Sequence, residues 1–235
     1  MSEASDGIHR LLLRAGGMLL DFDGVLADSE PFFRRSWNAA LEPWGHSIGE
    51  RDYWNYWSSR GEGLEGEIRR SGLDSIDRNL VSRRQEEIYA EFVLSGAIPL
   101  FPGASLLLEE LESGPFWGGR PYCIASNTPA SQIRHVLKNA GAPVPEVVGG
   151  DGLEKKPSPA IFMKAASILG IRPSETVVLE DSWKGITAAG RGGFRSLLVI
   201  NRYNRDLDIG GEFRISGLDP LLKHLSRNWN GFRGG

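Results

Sequence analysis

The sequence predicts an α/β fold in which helices cover a parallel sheet and a small helical domain is inserted near the start of the chain. Short apolar runs, without the polar alternation of a half-exposed strand, are each followed by a turn and a segment with helical spacing. This alternation stops between Pro31 and about Gly96, where aromatic and charged residues dominate. A length of 235 residues is sufficient for one sizeable core and a small second domain.

The apolar runs are predicted to be strands buried on both faces of a parallel sheet. They span residues 17–22, 121–125, 146–148, 176–179 and 196–200. Helices are predicted where apolar residues recur with helical spacing, often between a Pro or Ser start signal and a terminal Gly. The clearest of these span residues 105–111, 131–139, 160–169 and 183–191. Strands that alternate with helices are typical of an α/β core.

The inserted region is predicted to be helical, with its clearest helices at residues 34–41 and 79–92. Residues 28–31 and 98–103 are predicted to be the two hinges that join it to the core. At the other end of the chain, the tail from Asn230 is rich in Gly and Arg and is predicted to be frayed.

The charge and the cysteine content of the chain exclude several classes of function. The formal net charge is −3 and the chain has no run of Lys or Arg, which argues against a nucleic-acid surface or a polybasic membrane patch. Cys123 is the only cysteine, so one chain can form neither an internal disulfide nor a thiolate metal cluster. Arg10 and Arg14 interrupt the N-terminal apolar residues, unlike the core of a signal peptide. We expect a cytoplasmic protein, a monomer or weak homodimer, with a small-molecule partner and no nucleic acid or membrane.

Paired acids follow two of the predicted strands. Asp21 and Asp23 end the first run, and Glu180 and Asp181 follow the run at residues 176–179. The carboxyl ends of parallel strands meet at one edge of a sheet, where ligands bind. Carboxylates this close repel each other unless a cation lies between them, and Mg²⁺ takes carboxylate and phosphate oxygens as ligands. The sequence therefore predicts a Mg²⁺ site at this edge.

Four motifs in order carry a resemblance to a known family. They are Asp21-Phe22-Asp23-Gly24-Val25-Leu26, Ile124-Ala125-Ser126-Asn127, Lys156-Pro157, and Glu180-Asp181-Ser182 followed by Gly185. The chain resembles the haloacid dehalogenase superfamily of aspartate-nucleophile phosphohydrolases, in the helical-cap branch that includes proteins similar to β-phosphoglucomutase and phosphoglycolate phosphatase. The resemblance implies a Rossmann-like core formed by residues 1–30 and 98–235, and a helical cap domain formed by residues 31–97.

The resemblance implies a role for each acid. Asp21 would be the covalent nucleophile, which divides a difficult hydrolysis into two easier steps. Asp23 would act as general acid and then general base, while its backbone carbonyl binds the metal. Asp181 would bind Mg²⁺ directly or through water, with Glu180 beside it in direct contact with the ion or one layer further out. Gly24, in the substrate-binding loop, allows a sharp turn after Asp23.

The resemblance also implies a set of phosphate-binding groups. The hydroxyl of Ser126 and the backbone amide of Asn127 would hold phosphoryl oxygens, and Lys156 would neutralise the phosphoryl group and the nucleophile. Lys155 is an alternative ammonium group, but Lys156 directly precedes Pro157, as in the family.

Substrate specificity is expected to come from the insertion. Its aromatic residues include Trp54 and Trp57, which could stack on a sugar but are better interpreted as packing in a small helical core. Arg60 resembles a substrate-binding arginine of relatives that act on sugar phosphates, and contact with substrate and a purely structural role are equally supported. His46 and His135 lack the clustering of a metal site and are assigned no function.

The activity predicted from these residues is Mg²⁺-dependent hydrolysis of a small phosphomonoester, such as a sugar phosphate. A phosphosugar mutase of the β-phosphoglucomutase type is the alternative, although residues 31–35, the stretch comparable to the one where that type has a cap histidine, contain no histidine. A dehalogenase is disfavoured because that branch lacks the second aspartate, here Asp23. A catalytically silent binding module is disfavoured because every candidate catalytic group is present.

Overall fold

The computed structural model describes residues 3–227, and a six-stranded sheet lies at its centre. The strands are β1 (Gly17–Leu20), β2 (Tyr122–Ala125), β3 (Val147–Val148), β4 (Thr176–Glu180), β5 (Arg195–Ile200) and β6 (Phe213–Ser216). Their spatial order is β3-β2-β1-β4-β5-β6, and every neighbouring pair is parallel. The predicted α/β fold with a Rossmann-like parallel sheet is therefore confirmed.

Ten α-helices accompany the sheet within the described part of the chain. They are α1 (Glu3–Arg14), α2 (Glu30–Leu41), α3 (Glu50–Asp52), α4 (Gly63–Ser71), α5 (Arg78–Leu94), α6 (Ala104–Ser113), α7 (Ala130–Asn139), α8 (Ala160–Leu169), α9 (Trp183–Arg191) and α10 (Asp219–Arg227). Helix α3 continues directly into a π-helix, Tyr53–Ser59. None of these helices is both long enough and apolar enough to cross a membrane.

The predicted strands and helices are all present, with bounds that shift by a few residues. Outside the inserted region, helices α1 and α10 and strand β6 were not predicted, and within it α3, α4 and the π-helix were not individually located. Strand β6 lies at the edge of the sheet and alternates in burial, with Ile215 as its buried residue, so it lacks the continuous apolar run of the other strands. The tail from Asn230, predicted to be frayed, lies outside the described residues.

The sheet is covered on both faces because successive strand residues point to opposite sides. On one face, side chains such as Met18 and Leu20 pack against helices α1, α6, α7 and α10. On the other face, Leu19 and Val178 pack against α8 and α9, where Phe162 is a large buried residue. Burial on both faces fixes the carboxyl ends of the strands, and with them the loops that follow.

Helices α2 to α5 surround a hydrophobic cluster of their own. Its buried members include Leu41, Ile48, Trp57, Ile68 and Val81. This part of the described chain contains no strand, which agrees with the loss of continuous apolar runs from its sequence. Helix α5 also contributes Tyr89 and Val93 to the main core, so the helical region is in contact with the core.

Candidate active site

The acids that follow β1 and β4 lie side by side at the carboxyl edge of the sheet. The two strands are neighbours, and their register pairs Leu20 with Leu179. The backbone N–H of Asp21 donates a hydrogen bond to the carbonyl of Leu179 at 2.9 Å. Asp21 and Glu180 are therefore adjacent residues at the end of a rigid parallel ladder.

Lys156 is buried between these two acids. Its Nζ donates to Asp21 Oδ1 at 2.8 Å, to Glu180 Oε1 at 2.8 Å and to the carbonyl of Ala125 at 3.0 Å. All three ammonium hydrogens are thereby used. The backbone N–H of Lys156 donates to Asn127 Oδ1 at 3.0 Å, which ties the loop that carries the lysine to the loop after β2.

Three carboxylates meet close to this lysine. Asp21, Glu180 and Asp181, here named the acid cluster, are buried, and each offers an oxygen within 4.8 Å of those of the other two. Three carboxylates against one ammonium leave an excess of negative charge when all are ionised. A set of hard oxygen donors with excess negative charge fits a divalent cation, so the acid cluster could hold a metal ion.

Burial favours a raised pKa in all three acids, but the neighbouring charges and hydrogen bonds give them different net shifts. It raises the pKa of Asp21 to about 7, with the charge of Glu180 adding to the effect and Lys156 opposing it. It also raises the pKa of Asp181 well above its ordinary value, and the charges of Glu180 and Asp21 add to that shift. Burial alone would raise the pKa of Glu180 too, but the charge and hydrogen bond of Lys156 lower it overall. Asp21 and Asp181 therefore gain most from an added cation.

Glu180 is fully occupied by hydrogen bonds. Its Oε2 accepts the backbone N–H groups of Asp181 and Ser182, at 2.9 and 3.0 Å, and the Ser182 hydroxyl at 2.9 Å. Its Oε1 accepts from Lys156. Gly185 is required beside it, because a Cβ there would collide with the Glu180 carboxylate. The side chain of Glu180 is thus a fixed support for its neighbours.

The carboxylate of Asp23 points to a group of hydroxyls. Oδ1 accepts from Ser29 at 2.5 Å, and Oδ2 accepts from Thr128 at 2.6 Å and from Ser126 at 3.1 Å. Its side chain is outside the acid cluster. The side chain of Asp23 is therefore not positioned as a metal ligand. Its backbone carbonyl, which the resemblance assigned to the metal, remains the candidate ligand from this residue.

Gly24 and Asn127 occupy the loops expected for them. Gly24 has φ of +78°, and a Cβ at this position would collide with the Asp181 carboxylate, so glycine is required both by the turn and by the close approach. Asn127 follows Ser126 directly, and its side chain accepts from the backbone of Lys156. The predicted residues from all four motifs therefore meet at one place.

The residues singled out in the insertion, Arg60, Trp54 and Trp57, lie outside the acid cluster. Arg60 is exposed, and its guanidinium carbon lies 5.7 Å from the ring centroid of Tyr56. The next residue, Gly61, approaches the side chain of Lys184. Trp57 is buried in the helical cluster and Trp54, partly buried, packs against it, as predicted. Trp54 also stacks on Tyr203 of the core, with ring centroids 4.2 Å apart.

His46 and His135 also fall outside the acid cluster among the described residues. His46 Nε2 lies 2.8 Å from Glu67 Oε1, and His135 is on helix α7.

Several polar residues around the site were missed by sequence reasoning. They are Ser29, Thr128, Asn201 and Asn204. Asn201 follows β5 directly, and Thr128 follows Ser126 by two residues, so the position of a polar residue just beyond a strand was the available signal. Ser29 and Asn204 carried no such signal.

The acid cluster lies at the carboxyl edge of a parallel sheet and is hydrogen-bonded to a buried lysine. This arrangement is typical of the active site of an α/β enzyme. The model of the haloacid dehalogenase-like hydrolases matches residues 17–193, and the chain belongs to this family of hydrolases. The family predicted from the four motifs is confirmed.

Individual relatives agree with the family. The chain is 28% identical over 199 residues to hexitol phosphatase A of Escherichia coli, covering 80% of this chain and 84% of the relative. It is 26% identical to β-phosphoglucomutase of Mycobacterium bovis, covering 88% and 89%. The structure of CbbY from Rhodobacter sphaeroides in complex with phosphate superposes with a TM-score of 0.75 at 25% identity, covering 90% of this chain and 99% of that one.

Proposed function

We propose that the protein is a Mg²⁺-dependent phosphatase that hydrolyses a small phosphomonoester, such as a sugar phosphate, through a phosphoaspartate at Asp21. The observation that carries this proposal is the acid cluster around Lys156, in which a strand-end aspartate lies beside one ammonium and two further acids. The phosphatase among the relatives and the phosphate in the CbbY structure support the same chemistry.

Asp21 is positioned for nucleophilic attack. Among the described residues, its hydrogen bond from Lys156 uses Oδ1, so we assign Oδ2 as the attacking oxygen. A bond forms between Oδ2 and phosphorus as the bond to the leaving oxygen breaks. Water then cleaves the phosphoaspartate and regenerates the carboxylate with release of inorganic phosphate. Lys156 also offsets the negative charge of the phosphoryl oxygens.

Asp23 moves the protons in both steps. It gives a proton to the leaving oxygen in the first step and accepts one from the attacking water in the second. The hydroxyls of Ser29, Ser126 and Thr128 hold its carboxylate beside the loop after β2. On substrate binding the Ser126 hydroxyl would turn from Asp23 to a phosphoryl oxygen, and the backbone N–H of Asn127 is the second proposed donor, while Ser29 and Thr128 keep the carboxylate of Asp23 in place.

Asp21, Asp181 and the backbone carbonyl of Asp23 would hold Mg²⁺, with Glu180 as a support that also fixes Lys156. The bound ion would offset negative charge on the carboxylates and the phosphoryl group. The donor set consists of oxygens alone, as Mg²⁺ prefers.

Residues 31–97 are proposed to act as a cap on a core formed by residues 1–30 and 98–235. The two connecting segments are hydrogen-bonded to each other: Asp28 N–H donates to the Pro99 carbonyl, and Phe101 N–H donates to the Leu26 carbonyl. Two adjacent crossings form a natural hinge. Closure would exclude water and bring Arg60 towards the leaving group.

The proposed cellular setting is the cytoplasm, with a small phosphorylated metabolite as partner and a monomer or weak homodimer as the working unit. Cys123 supports a reducing compartment, because it is a buried free thiol.

A phosphosugar mutase is the second candidate, favoured by the similarity to β-phosphoglucomutase. In this chain residues 31–35, the stretch comparable to the one that carries a cap histidine in that type, contain no histidine, and Phe33 stacks on Tyr89 with ring centroids 3.8 Å apart. Phosphorus NMR of the products separates the two activities: a phosphatase releases inorganic phosphate, whereas a mutase yields an isomeric phosphate ester.

The nucleophile is tested by Asp21→Asn in a screen of phosphorylated metabolites with Mg²⁺ and with chelator. We expect kcat to fall on the order of 10⁴-fold or more while the circular dichroism spectrum is unchanged. Asp23→Asn should reduce turnover far more than Mg²⁺ binding. Substantial hydrolysis by Asp21→Asn would exclude this aspartate as the nucleophile, and equal loss of turnover and metal binding in Asp23→Asn would contradict its proton-transfer role.

A further inference from the structure

The loop after β5 reaches the acid cluster through one side chain. Asn201 Nδ2 donates to Asp181 Oδ2 at 2.9 Å and to the carbonyl of Gly24 at 2.9 Å. These two acceptors belong to different loops, those after β4 and β1. A single amide therefore fixes the distance between two loops that border the proposed metal site.

The orientation of this amide is determined by its other contacts. Asn201 Oδ1 accepts the backbone N–H of Tyr203 at 2.8 Å and that of Asn204 at 3.2 Å. Exchanging the amide oxygen and nitrogen would place donors against donors and an oxygen against two oxygens, so all four hydrogen bonds would be lost. The N–H groups of Asn201 consequently point to Asp181 and Gly24.

Asn204 holds both the loop and the backbone of the same acid. Its Oδ1 accepts the backbone N–H of Asn201 at 2.8 Å, and its Nδ2 donates to the carbonyls of Asp181 and Val199 at 2.7 and 2.9 Å. The side chain of Asn204 is buried. The two asparagines thus fix Asp181 at its carboxylate and at its main chain.

We propose that Asn201 is a positioning residue for the metal ligand Asp181. This inference rests on the proposed function, because it takes Asp181 to be a Mg²⁺ ligand. A neutral amide stabilises the ionised carboxylate in a buried site without bringing a positive charge that would repel the cation. A cationic side chain that donated to Asp181 would instead compete with the metal for this carboxylate. Hydrogen-bonded partners of metal ligands commonly raise metal affinity 10–100-fold.

The test is calorimetric titration of the metal-free protein with Mg²⁺, which does not depend on activity. Asn201→Ala is expected to weaken Mg²⁺ binding about 10-fold or more. At saturating Mg²⁺, kcat should recover towards the wild-type value with little change in KM. Asn201→Ser, whose hydroxyl is too short to reach both acceptors, should behave similarly and provides a second variant if the alanine variant does not fold.

Tyr203→Phe is the matched control. Tyr203 lies in the same loop, and its hydroxyl donates to Asp28 at 2.5 Å rather than to the acid cluster. We expect its Mg²⁺ affinity to stay within about twofold of the wild type. Mg²⁺ affinity unchanged in Asn201→Ala and Asn201→Ser, or reduced equally in Tyr203→Phe, would overturn the inference while leaving the proposed function standing. Absence of Mg²⁺ binding by the wild type would overturn both.

Discussion

The acid cluster and the buried side chain of Glu67 differ in how far their negative charge is compensated. In the core, the acid cluster places three carboxylates against the single ammonium of Lys156. In the helical region, Glu67 on α4 is surrounded by donors. Its Oε1 accepts hydrogen bonds from His46 and Ser71, and its Oε2 accepts hydrogen bonds from Trp57 and Arg70, all with donor–acceptor distances of 2.8 to 3.0 Å.

The pKa values follow this difference. Burial raises the pKa of Asp21 to about 7, because Lys156 compensates its charge only in part and the charge of Glu180 adds to the shift. Burial would also raise the pKa of Glu67, but hydrogen bonds from Trp57, Arg70 and His46 lower it to about 2. A buried acid with all its partners stabilises the fold, whereas a group of acids with excess charge requires something from outside the chain. Burial of a carboxylate alone therefore does not identify a functional site.

Removal of the Lys156 ammonium, which is hydrogen-bonded to two acids of the cluster, should have the largest effect on this contrast. We expect Lys156→Met to lower the free energy of unfolding of the metal-free protein by about 3–5 kcal/mol at pH 8, because buried acids are left without their partner. Turnover should also be lost. Urea denaturation measures the change in stability.

Lys155→Met is the control for this experiment, since Lys155 is the adjacent residue and is exposed. Its free energy of unfolding should stay within about 0.5 kcal/mol of the wild type. If the two variants were equally stable, Lys156 would not be compensating buried charge, and the contrast with Glu67 would be lost.

Addition of Mg²⁺ should have the next largest effect. At 100 times its Kd, an ion that binds only the folded chain stabilises it by about 2.7 kcal/mol. Because the folded-state pKa of Asp21 is raised from 3.8 to about 7, the metal-free folded chain retains a proton that the unfolded chain has lost, and its stability falls as pH rises between these values. Mg²⁺ competes with this proton, so its stabilising effect should be larger at pH 8 than at pH 5.5.

Melting temperatures with and without Mg²⁺ at the two pH values check this prediction. Asp181→Asn removes one acid of the cluster and should abolish most of the Mg²⁺ effect at both pH values. An equal rise in melting temperature at pH 8 and pH 5.5 would show that the ion binds away from the raised-pKa acids.

The sequence predicted the parts of the site that lie directly beyond strands. Asp21, Ser126 and Glu180 could be found because each follows a continuous apolar run, and the edge of a parallel sheet brings such positions together. The direction in which a side chain points could not be found in this way. The partners of Asp23 come from two loops about 100 residues apart in the chain, including Thr128.

Long-range contacts also limited the prediction for the helical region. Its helices were predicted, because helical spacing is a local property. The contact of Trp54 with Tyr203 was not, since the two residues are separated by about 150 positions and belong to different parts of the fold. The four hydrogen bonds to Glu67 could not be predicted either, because most of their donors are residue types that are common on protein surfaces.

Loss of the Glu67 charge should have the smallest effect of the three changes, and it should leave the metal untouched. We expect Glu67→Gln to lower the free energy of unfolding by about 1–2 kcal/mol at pH 7, because four hydrogen bonds lose their charged acceptor. A carboxylate with a lowered folded-state pKa stabilises the fold above its unfolded value of 4.5, and this contribution disappears as pH falls towards about 2. The difference between variant and wild type should therefore narrow in urea denaturation at pH 3.

Glu65→Gln on the same helix is the matched control, because Glu65 is 62% exposed and pairs with the exposed Arg78. It should change the free energy of unfolding by less than about 0.5 kcal/mol. Calorimetric Mg²⁺ affinity should equal that of the wild type in both variants. A marked loss of Mg²⁺ affinity in Glu67→Gln would mean that this satisfied acid communicates with the acid cluster, and that charge balance alone does not separate the structural acid from the functional ones.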